Sequence, residues 1–160
     1  MIHNIDIVLL NLEKLNHLKE VELKNSRPFF AKVDISNEYS AFIPFRTSFS
    51  HPFGFVNQRY KTSAGKTVNK GLDYTKSIII NNREISEYII SSTTIPAWEY
   101  RKVKENVNVI AKRYLDYVER YIREHKKEII TGRPSHFTKF STLKNFHKEL
   151  QVFENDEQDC

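Results

Sequence analysis

Two segments joined by a short turn constrain the fold of this chain more than any other feature. In residues 29–35 every second side chain, from Phe29 onward, is apolar, which is typical of a half-buried strand. Ser36-Asn37-Glu38 supplies turn residues, and residues 39–45 form a second, aromatic-rich segment. Such closely spaced strands predict a β-hairpin. The fold must therefore contain an antiparallel sheet.

Further short elements are predicted on both sides of this hairpin. Apolar runs at residues 5–10, 77–80 and 88–90 indicate strands. The polar residues 46–69 are interpreted as a long loop, a kind of segment that often carries a functional site. Gly71, just after them, is interpreted as a turn residue. A short helix after the first strand is predicted from the spacing of Leu12, Leu15, Leu18 and Val21.

The last third of the chain has helical periodicity. Pro96 is placed in the first turn of a helix that is expected to end near Lys127. Its apolar stripe consists of Val103, Val107, Ile110, Tyr114, Tyr117 and Tyr121. A break at residues 131–134 precedes a shorter amphipathic helix, whose apolar side holds Phe140, Leu143, Phe146 and Leu150. The pattern predicts an α+β domain over residues 1–150, a small antiparallel sheet or barrel with appended helices.

Charge is distributed unevenly along the chain. It holds 25 Lys and Arg against 20 Asp and Glu, a formal net charge of +5. Four of the acids and no base lie in residues 151–160, so residues 1–150 carry 25 bases and 16 acids, or +9. We interpret residues 151–160 as a flexible acidic tail. The basic body suits a polyanionic partner, and charge alone does not distinguish nucleic acid from an anionic membrane surface.

Several classes of site are disfavoured. The single cysteine, Cys160, excludes an internal disulfide and a cysteine-rich zinc site. The six histidines are scattered, and Asp34, Glu38 and Asp73 form no recognisable magnesium-binding cluster, so we expect neither metal nor cofactor. Residues 5–10 lack a basic leader, and no apolar run approaches the length of a membrane span. We therefore expect a cytoplasmic protein without a membrane partner.

What remains is a set of cations and hydroxyls near the predicted strand ends. Its members are Arg27, Arg46, Thr47, Ser48, His51, Lys70 and Lys76. RNA can be cleaved without a metal because its 2′-hydroxyl attacks the adjacent phosphate, and the enzyme then supplies proton transfer and positive charge. Arginine binds two phosphate oxygens at once, and histidine is the residue type that titrates near neutral pH. Nearby aromatic residues on which bases would stack are Phe49, Phe53, Phe55 and Tyr60.

Three motifs follow one another between residues 26 and 80. The first, Ser26-Arg27-Pro28-Phe29-Phe30, places a basic residue before a strand. The second ends in Pro44-Phe45-Arg46-Thr47-Ser48, and the third, residues 71–80, begins with Gly-Leu and contains Lys76 before an apolar strand. Their order and spacing resemble the toxins of type III toxin–antitoxin systems, the ToxN, AbiQ and TenpN group of endoribonucleases. The second motif is similar to the Pro-Leu-x-Ser strand exit of that family, and the rest of the chain matches in layout only.

The resemblance implies a fold, a reaction and an inhibitor. The implied fold is an SH3-like barrel of the Kid/MazF type with a short N-terminal helix and long C-terminal helices. The implied reaction is metal-independent cleavage of single-stranded RNA to a 2′,3′-cyclic phosphate and a 5′-hydroxyl. The implied inhibitor is a small folded RNA antitoxin, cut from a repeated precursor, that binds a basic groove and joins toxins in an RNA-bridged hetero-oligomer. Such systems often act in defence against phage.

The resemblance also implies residue roles. Arg46, Thr47 and Ser48 occupy the strand exit that polarises the scissile phosphate. ToxN-type members place a lysine shortly after the serine, whereas this chain has Phe49-Ser50-His51. The chain therefore looks closer to the TenpN branch, and His51 takes the proton-transfer or phosphate role. The expected RNA contacts are Arg27, Lys32, Phe49, Arg59, Lys61, Lys66, Lys70 and Lys76.

Other interpretations stay open. A barrel-type toxin could inhibit a protein target such as gyrase without cleaving RNA. A plain RNA-binding module would show steep salt dependence and no strand scission. A basic strand exit such as residues 44–48 also occurs in proteins where it has no catalytic role, and Lys76 is equally suited to a structural salt bridge.

Overall fold

The predicted hairpin lies at the centre of an antiparallel sheet of seven strands with accompanying helices, an α+β fold. The computed structural model describes residues 6–15, 17–18, 29–92 and 96–150. Its strands are β1 (Asp6–Leu10), β2 (Phe29–Asp34), β3 (Tyr39–Phe49), β4 (Gly54–Lys61), β5 (Thr67–Asp73), β6 (Ile78–Asn81) and β7 (Ile89–Ser92). Its α-helices are α1 (Ile85–Tyr88), α2 (Ala97–Glu105), α3 (Val107–Thr131) and α4 (His136–Lys139). Segments of 3₁₀-helix occupy Leu12–Leu15, Tyr74–Lys76 and Thr142–Asn145.

Strand β3 organises the sheet because it pairs with three other strands, β2, β5 and β6. The strand order is β4-β5-β3-β2-β1-β7, and β6 pairs with β3 as well. Residues 39–42 of β3 pair with β6, whereas residues 45–49 pair with β5. Across the described residues the pairing does not join β4 to β7, so the sheet is open. The strands predicted around residues 5–10, 29–35, 39–45, 77–80 and 88–90 are confirmed, with small shifts at their ends.

The prediction of a long loop at residues 46–69 is wrong. Strand β3 extends to Phe49, and β4 and β5 form a second hairpin that turns at residues 62–66. Polar side chains lie on both faces of this hairpin, since the neighbouring cross-strand pairs Arg59–Asn69 and Gln58–Lys70 are both polar. Register shifts in β3 and β4 also interrupt the alternation, so the sequence pattern did not reveal the hairpin. Gly71 is not a turn residue either. It lies inside β5, where a Cβ atom would collide with the carbonyl oxygen of Phe55.

The single long helix predicted to end near Lys127 is instead two helices. Asn106 separates α2 from α3, and its side-chain amide donates to the carbonyl oxygen of Lys102 at 2.7 Å. Helix α3 continues to Thr131 and ends at Gly132, whose φ of +67° closes the helix with a left-handed residue.

The amphipathic helix expected around residues 140–150 does not form. Its place is taken by the four-residue α4 and the 3₁₀ segment Thr142–Asn145. Each starts with a serine whose hydroxyl accepts a backbone N–H two residues on: Ser135 from Phe137, and Ser141 from Leu143. These caps compete with a continuous helix because they fix non-helical backbone at both serines.

Helix α3 packs against the sheet through a column of buried tyrosines. Tyr114 bonds the Ser77 hydroxyl at 2.9 Å, and Tyr117 bonds the Ser141 hydroxyl at 2.6 Å. Burial raises the pKa of both phenols above the ordinary value, so they remain neutral donors and acceptors in the core. Within the described ranges, no helix is long and apolar enough to cross a membrane.

Candidate active site

Asp73 is the centre of a polar cluster at the end of β5. Its side chain is fully buried, with no exposed surface. It caps the 3₁₀ segment Tyr74–Lys76, because its Oδ1 accepts the Thr75 backbone N–H at 3.0 Å and the Thr75 hydroxyl at 2.6 Å. A buried carboxylate is stable only when such partners replace water, and the two remaining partners are the predicted site residues.

Arg46, on β3, and His51, in the segment between β3 and β4, converge on this carboxylate. The Arg46 Nη1 donates to Asp73 Oδ2 at 2.6 Å, and the His51 Nε2 lies 3.0 Å from Asp73 Oδ1. The side chains of Arg46 and His51 are 19% and 29% exposed, so both reach the surface. One buried anion therefore holds two predicted catalytic groups side by side at a solvent-accessible point.

The backbone brings these groups together through the pairing of β3 with β5. Arg46 lies opposite Gly71, two residues before Asp73, and β3 then shifts register before Phe49. On the other side of β5, Gly54 lies opposite Asp73, and a Cβ at Gly54 would collide with the Leu72 carbonyl oxygen. Pairing with β3 on one side and the close backbone approach of β4 on the other thus set the position of Asp73.

The hydrogen bonds of His51 assign its tautomer. The Phe53 backbone N–H donates to His51 Nδ1 at 3.0 Å, so Nδ1 carries a lone pair. The proton of the neutral ring is then on Nε2, where it is donated to Asp73. A carboxylate therefore orients one ring nitrogen, as in an acid–base dyad, while the other nitrogen accepts the Phe53 N–H.

The environment favours the ionised form of Asp73. Burial by itself raises the pKa of this carboxyl, but hydrogen bonds and charge from His51, Thr75 and Arg46 outweigh it and hold the pKa below its ordinary value. The cluster therefore contains a permanent buried anion at neutral pH.

The predicted site residues that follow Arg46 differ in burial. The side chains of Thr47 and Ser48 are exposed on β3, and the Thr47 carbonyl oxygen accepts a hydrogen bond from the Tyr60 hydroxyl. Phe49 is only 5% exposed and stacks on the His51 ring at 5.0 Å between centroids. A base could stack on Phe49 only after the His51 ring moved away.

Most of the predicted RNA-binding cations lie on or near the second hairpin. Arg59, Lys61 and Lys66 are exposed on β4 and the following turn. Lys70 is bound to the buried carboxylate of Glu99 at 2.6 Å and lies 5.5 Å from the Trp98 ring. It is therefore partly committed to a structural contact.

The remaining predicted RNA contacts are more remote or lie elsewhere in the chain. Lys76 donates to the Phe140 carbonyl oxygen at 3.1 Å, a contact that favours a structural role for this side chain. Lys32 lies 3.6 Å from Asp34 on β2, opposite Phe42 of β3 and away from the 45–49 half of that strand. Arg27 lies outside the described residues, as do Val21 of the predicted first helix and the acidic tail.

Asp73 and Thr75 are the site residues that the sequence reasoning missed. Both belong to the third motif, but Asp73 was judged only as a possible metal ligand. The available signal was an aspartate at the end of a buried strand followed by a hydroxyl residue two positions on, which is a capping pattern. Within the part of the chain that the structure describes, no group of three or more His, Cys, Asp or Glu side chains is arranged to hold a metal ion.

Comparisons with known proteins add no relative to this picture. No protein-family model matches the chain, and no curated protein or solved structure is significantly similar to it.

Proposed function

We propose that this protein is a metal-independent endoribonuclease toxin of the type III toxin–antitoxin kind. The observation that carries the proposal is the convergence of Arg46 and His51 on the buried, ionised Asp73. The sequence pointed to the first two residues, and their partly exposed side chains share one buried carboxylate.

Arg46 has the role of binding and polarising the scissile phosphate. Its Nη1 donates to Asp73, and a guanidinium carries five N–H donors in a fork that matches two phosphate oxygens. A cation already oriented by a buried anion needs little reorganisation as charge develops on the phosphorane.

His51 has the role of moving a proton. The 2′-hydroxyl oxygen attacks phosphorus, the bond to the 5′-oxygen breaks, and the products are a 2′,3′-cyclic phosphate and a 5′-hydroxyl. One proton passes from the 2′-hydroxyl to His51, and the imidazolium so formed delivers one proton to the departing 5′-oxygen. With Nε2–H held by Asp73, the Nδ1 lone pair accepts a proton once the substrate replaces the Phe53 N–H. Asp73 then stabilises the imidazolium.

The proposal extends to fold type and partners. We assign the sheet to the SH3-like barrel type of the Kid/MazF toxins. The support is that β3 pairs with β2 and β6 over one part of its length and, from Phe45 on, with β5 through a register shift past Arg46. The protein acts in the cytoplasm, and a small structured RNA antitoxin covers the site and bridges toxins into a hetero-oligomer. Short tandem repeats followed by a terminator directly upstream of the coding sequence would support this partner.

RNA cleavage in EDTA tests the enzymatic proposal. Purified protein, freed of RNA under denaturing conditions and refolded, is incubated with single-stranded RNA and the ends are mapped. We expect cleavage with 2′,3′-cyclic phosphate ends. His51→Gln should lower the rate by about 10²–10⁴-fold, and Arg46→Ala by about 10²–10³-fold.

The control is Arg83→Gln, an exposed arginine near β6 that removes the same charge without touching the site. Intact RNA after incubation with refolded wild-type protein refutes the endonuclease. Salt-sensitive RNA binding without scission would then identify a binding module, and toxicity that survives both site substitutions would identify a toxin with a protein target.

A further inference from the structure

A cleft opens next to the candidate active site, and none of the proposed steps uses it. It lies between the segment joining β3 to β4, helix α3 and helix α4, and its volume is about 290 Å³, close to the lower end of the range for small-molecule sites. Its walls include the rings of Phe53, Tyr74, Tyr117 and Phe137 and the guanidinium groups of Arg113 and Arg120.

The aromatic walls form a compact set of ring surfaces. Phe53 and Phe137 meet edge to face at 4.8 Å between centroids, and Phe137 lies 5.4 Å from Tyr117. Phe53 and Phe137 are only half-buried. A base that stacked on them would displace the Arg120 guanidinium, which lies over both rings. A planar heterocycle is the ligand class that aromatic walls of this kind bind best, because stacking accepts any base with a π-face.

Two arginines give the cleft a positive charge. Arg113 and Arg120 are seven residues apart on α3, so they project from the same helix face. The Arg120 guanidinium lies 4.3 Å from the Phe137 ring centre and 5.3 Å from that of Phe53. Asp116 also lines the cleft, but its carboxylate is bound by Lys112 at 3.0 Å. The cleft therefore combines stacking surfaces with cations suited to phosphate.

The cleft is one ring away from the catalytic dyad. The ring of Phe53 stacks on that of His51 with 5.8 Å between centroids and 21° between planes. On the other side, Tyr74 directly follows Asp73 in the chain and contributes to the cleft wall. A nucleotide in the cleft would therefore lie beside a phosphate held by Arg46 and His51.

We propose that this cleft is a nucleotide subsite, in which the aromatic walls bind a nucleobase and Arg113 and Arg120 bind the phosphate attached to it. The placement of that nucleotide next to the scissile phosphate rests on the proposed endonuclease function. The binding of a base together with a phosphate rests on the cleft alone. A cleft for phosphate only would not need aromatic walls, and a cleft for an apolar ligand would not need two arginines.

Binding of small probes to the full chain tests the subsite. The probes are the four common nucleoside 5′-monophosphates and ribose 5-phosphate, titrated and followed by NMR chemical shifts. We expect at least one nucleotide to bind at least tenfold more tightly than ribose 5-phosphate, with shifts at Phe53 and Phe137. Arg120→Gln should weaken the binding of that nucleotide about tenfold. Arg123→Gln should leave the binding unchanged, because Arg123 is exposed on the same helix and does not line the cleft.

Two results would overturn the subsite: no nucleotide binding by the wild-type protein at millimolar concentration, or equal binding of ribose 5-phosphate. A Phe137→Leu variant separately tests the contribution of stacking. If this variant does not fold, Arg120→Gln still tests the subsite, because Arg120 is a surface residue. RNA cleavage by the same samples separates the two proposals. Cleavage without nucleotide binding refutes the subsite alone, and nucleotide binding without cleavage supports the subsite while refuting the endonuclease.

Discussion

Replacing Asp73 by asparagine removes the anion that holds the candidate site together. The substitution keeps the shape of the side chain, but it presents an amide to two donors, Arg46 Nη1 at 2.6 Å and His51 Nε2 at 3.0 Å. Breaking a buried ion pair on one side costs about 3–5 kcal/mol. Because Arg46 and His51 are 19% and 29% exposed, water compensates them in part, and we expect a loss of about 3 kcal/mol.

For a chain of 160 residues, each kcal/mol lowers the Tm by about 2–4 °C, so Asp73→Asn should lower it by roughly 6–12 °C. Urea denaturation followed by circular dichroism measures the same loss as a free energy of unfolding. The matched control is Asp116→Asn, which removes an exposed carboxylate paired with Lys112. That change should cost no more than about 0.5 kcal/mol.

The pH dependence of this difference is the sharper test. The pKa of Asp73 is lowered in the folded protein, so its stabilisation is fully present above the unfolded value near 3.9 and is lost as pH falls through the folded value. The free-energy gap between wild type and Asp73→Asn should therefore shrink as the pH falls below about 4. A gap no larger than that of Asp116→Asn, or one unchanged on acidification, would refute the reasoning.

Two further substitutions probe the packing around the site. Gly71→Ala should destabilise the fold by more than about 2 kcal/mol, because the new Cβ collides with the Phe55 carbonyl oxygen. The control Gly132→Ala meets no neighbour and should cost about 1 kcal/mol for its left-handed backbone. Equal losses of the two variants in urea denaturation would contradict this reasoning. Tyr114→Phe removes the buried 2.9 Å bond to Ser77 and should cost about 1–2 kcal/mol, and an unchanged urea midpoint would show that this bond does not stabilise the core.

The sequence predicted best where one face of an element is consistently apolar. Residues 29–35 alternate because one face of that strand packs on the core, and residues 78–80 are continuously apolar because that strand is buried. Both strands were predicted correctly. The β4–β5 hairpin was missed because it exposes residues such as Arg59 and Lys61, which leaves little hydrophobic contrast between its two faces. The division of the long helix at Asn106 depends on one side-chain bond to Lys102, which helical periodicity does not encode.

The candidate site was predicted only in part for a related reason. Arg46 and His51 were nominated from motifs, but the link between them is Asp73, which is 27 residues from the arginine in the chain. No local pattern reports which cations a buried carboxylate will meet, since that depends on the register of β3 against β5. The cleft beside Phe53 was invisible for the same reason, because its walls come from four separate segments.

The pairing of β3 with three other strands has a consequence for which parts of the sheet unfold locally. Its residues 39–42 lie between β2 and β6, and its residues 45–49 bond to β5, so β3 cannot detach without releasing neighbours on both sides. Edge strand β4 bonds only to β5 across the described residues. In native-state hydrogen exchange, the amides of residues 39–44 of β3 should therefore exchange only through global unfolding, while those of β4 exchange through local opening. Among the described residues, the half of β3 that carries Arg46 bonds to β5 alone, so the boundary between the two kinds of exchange would fall where β3 leaves β2, just before Arg46.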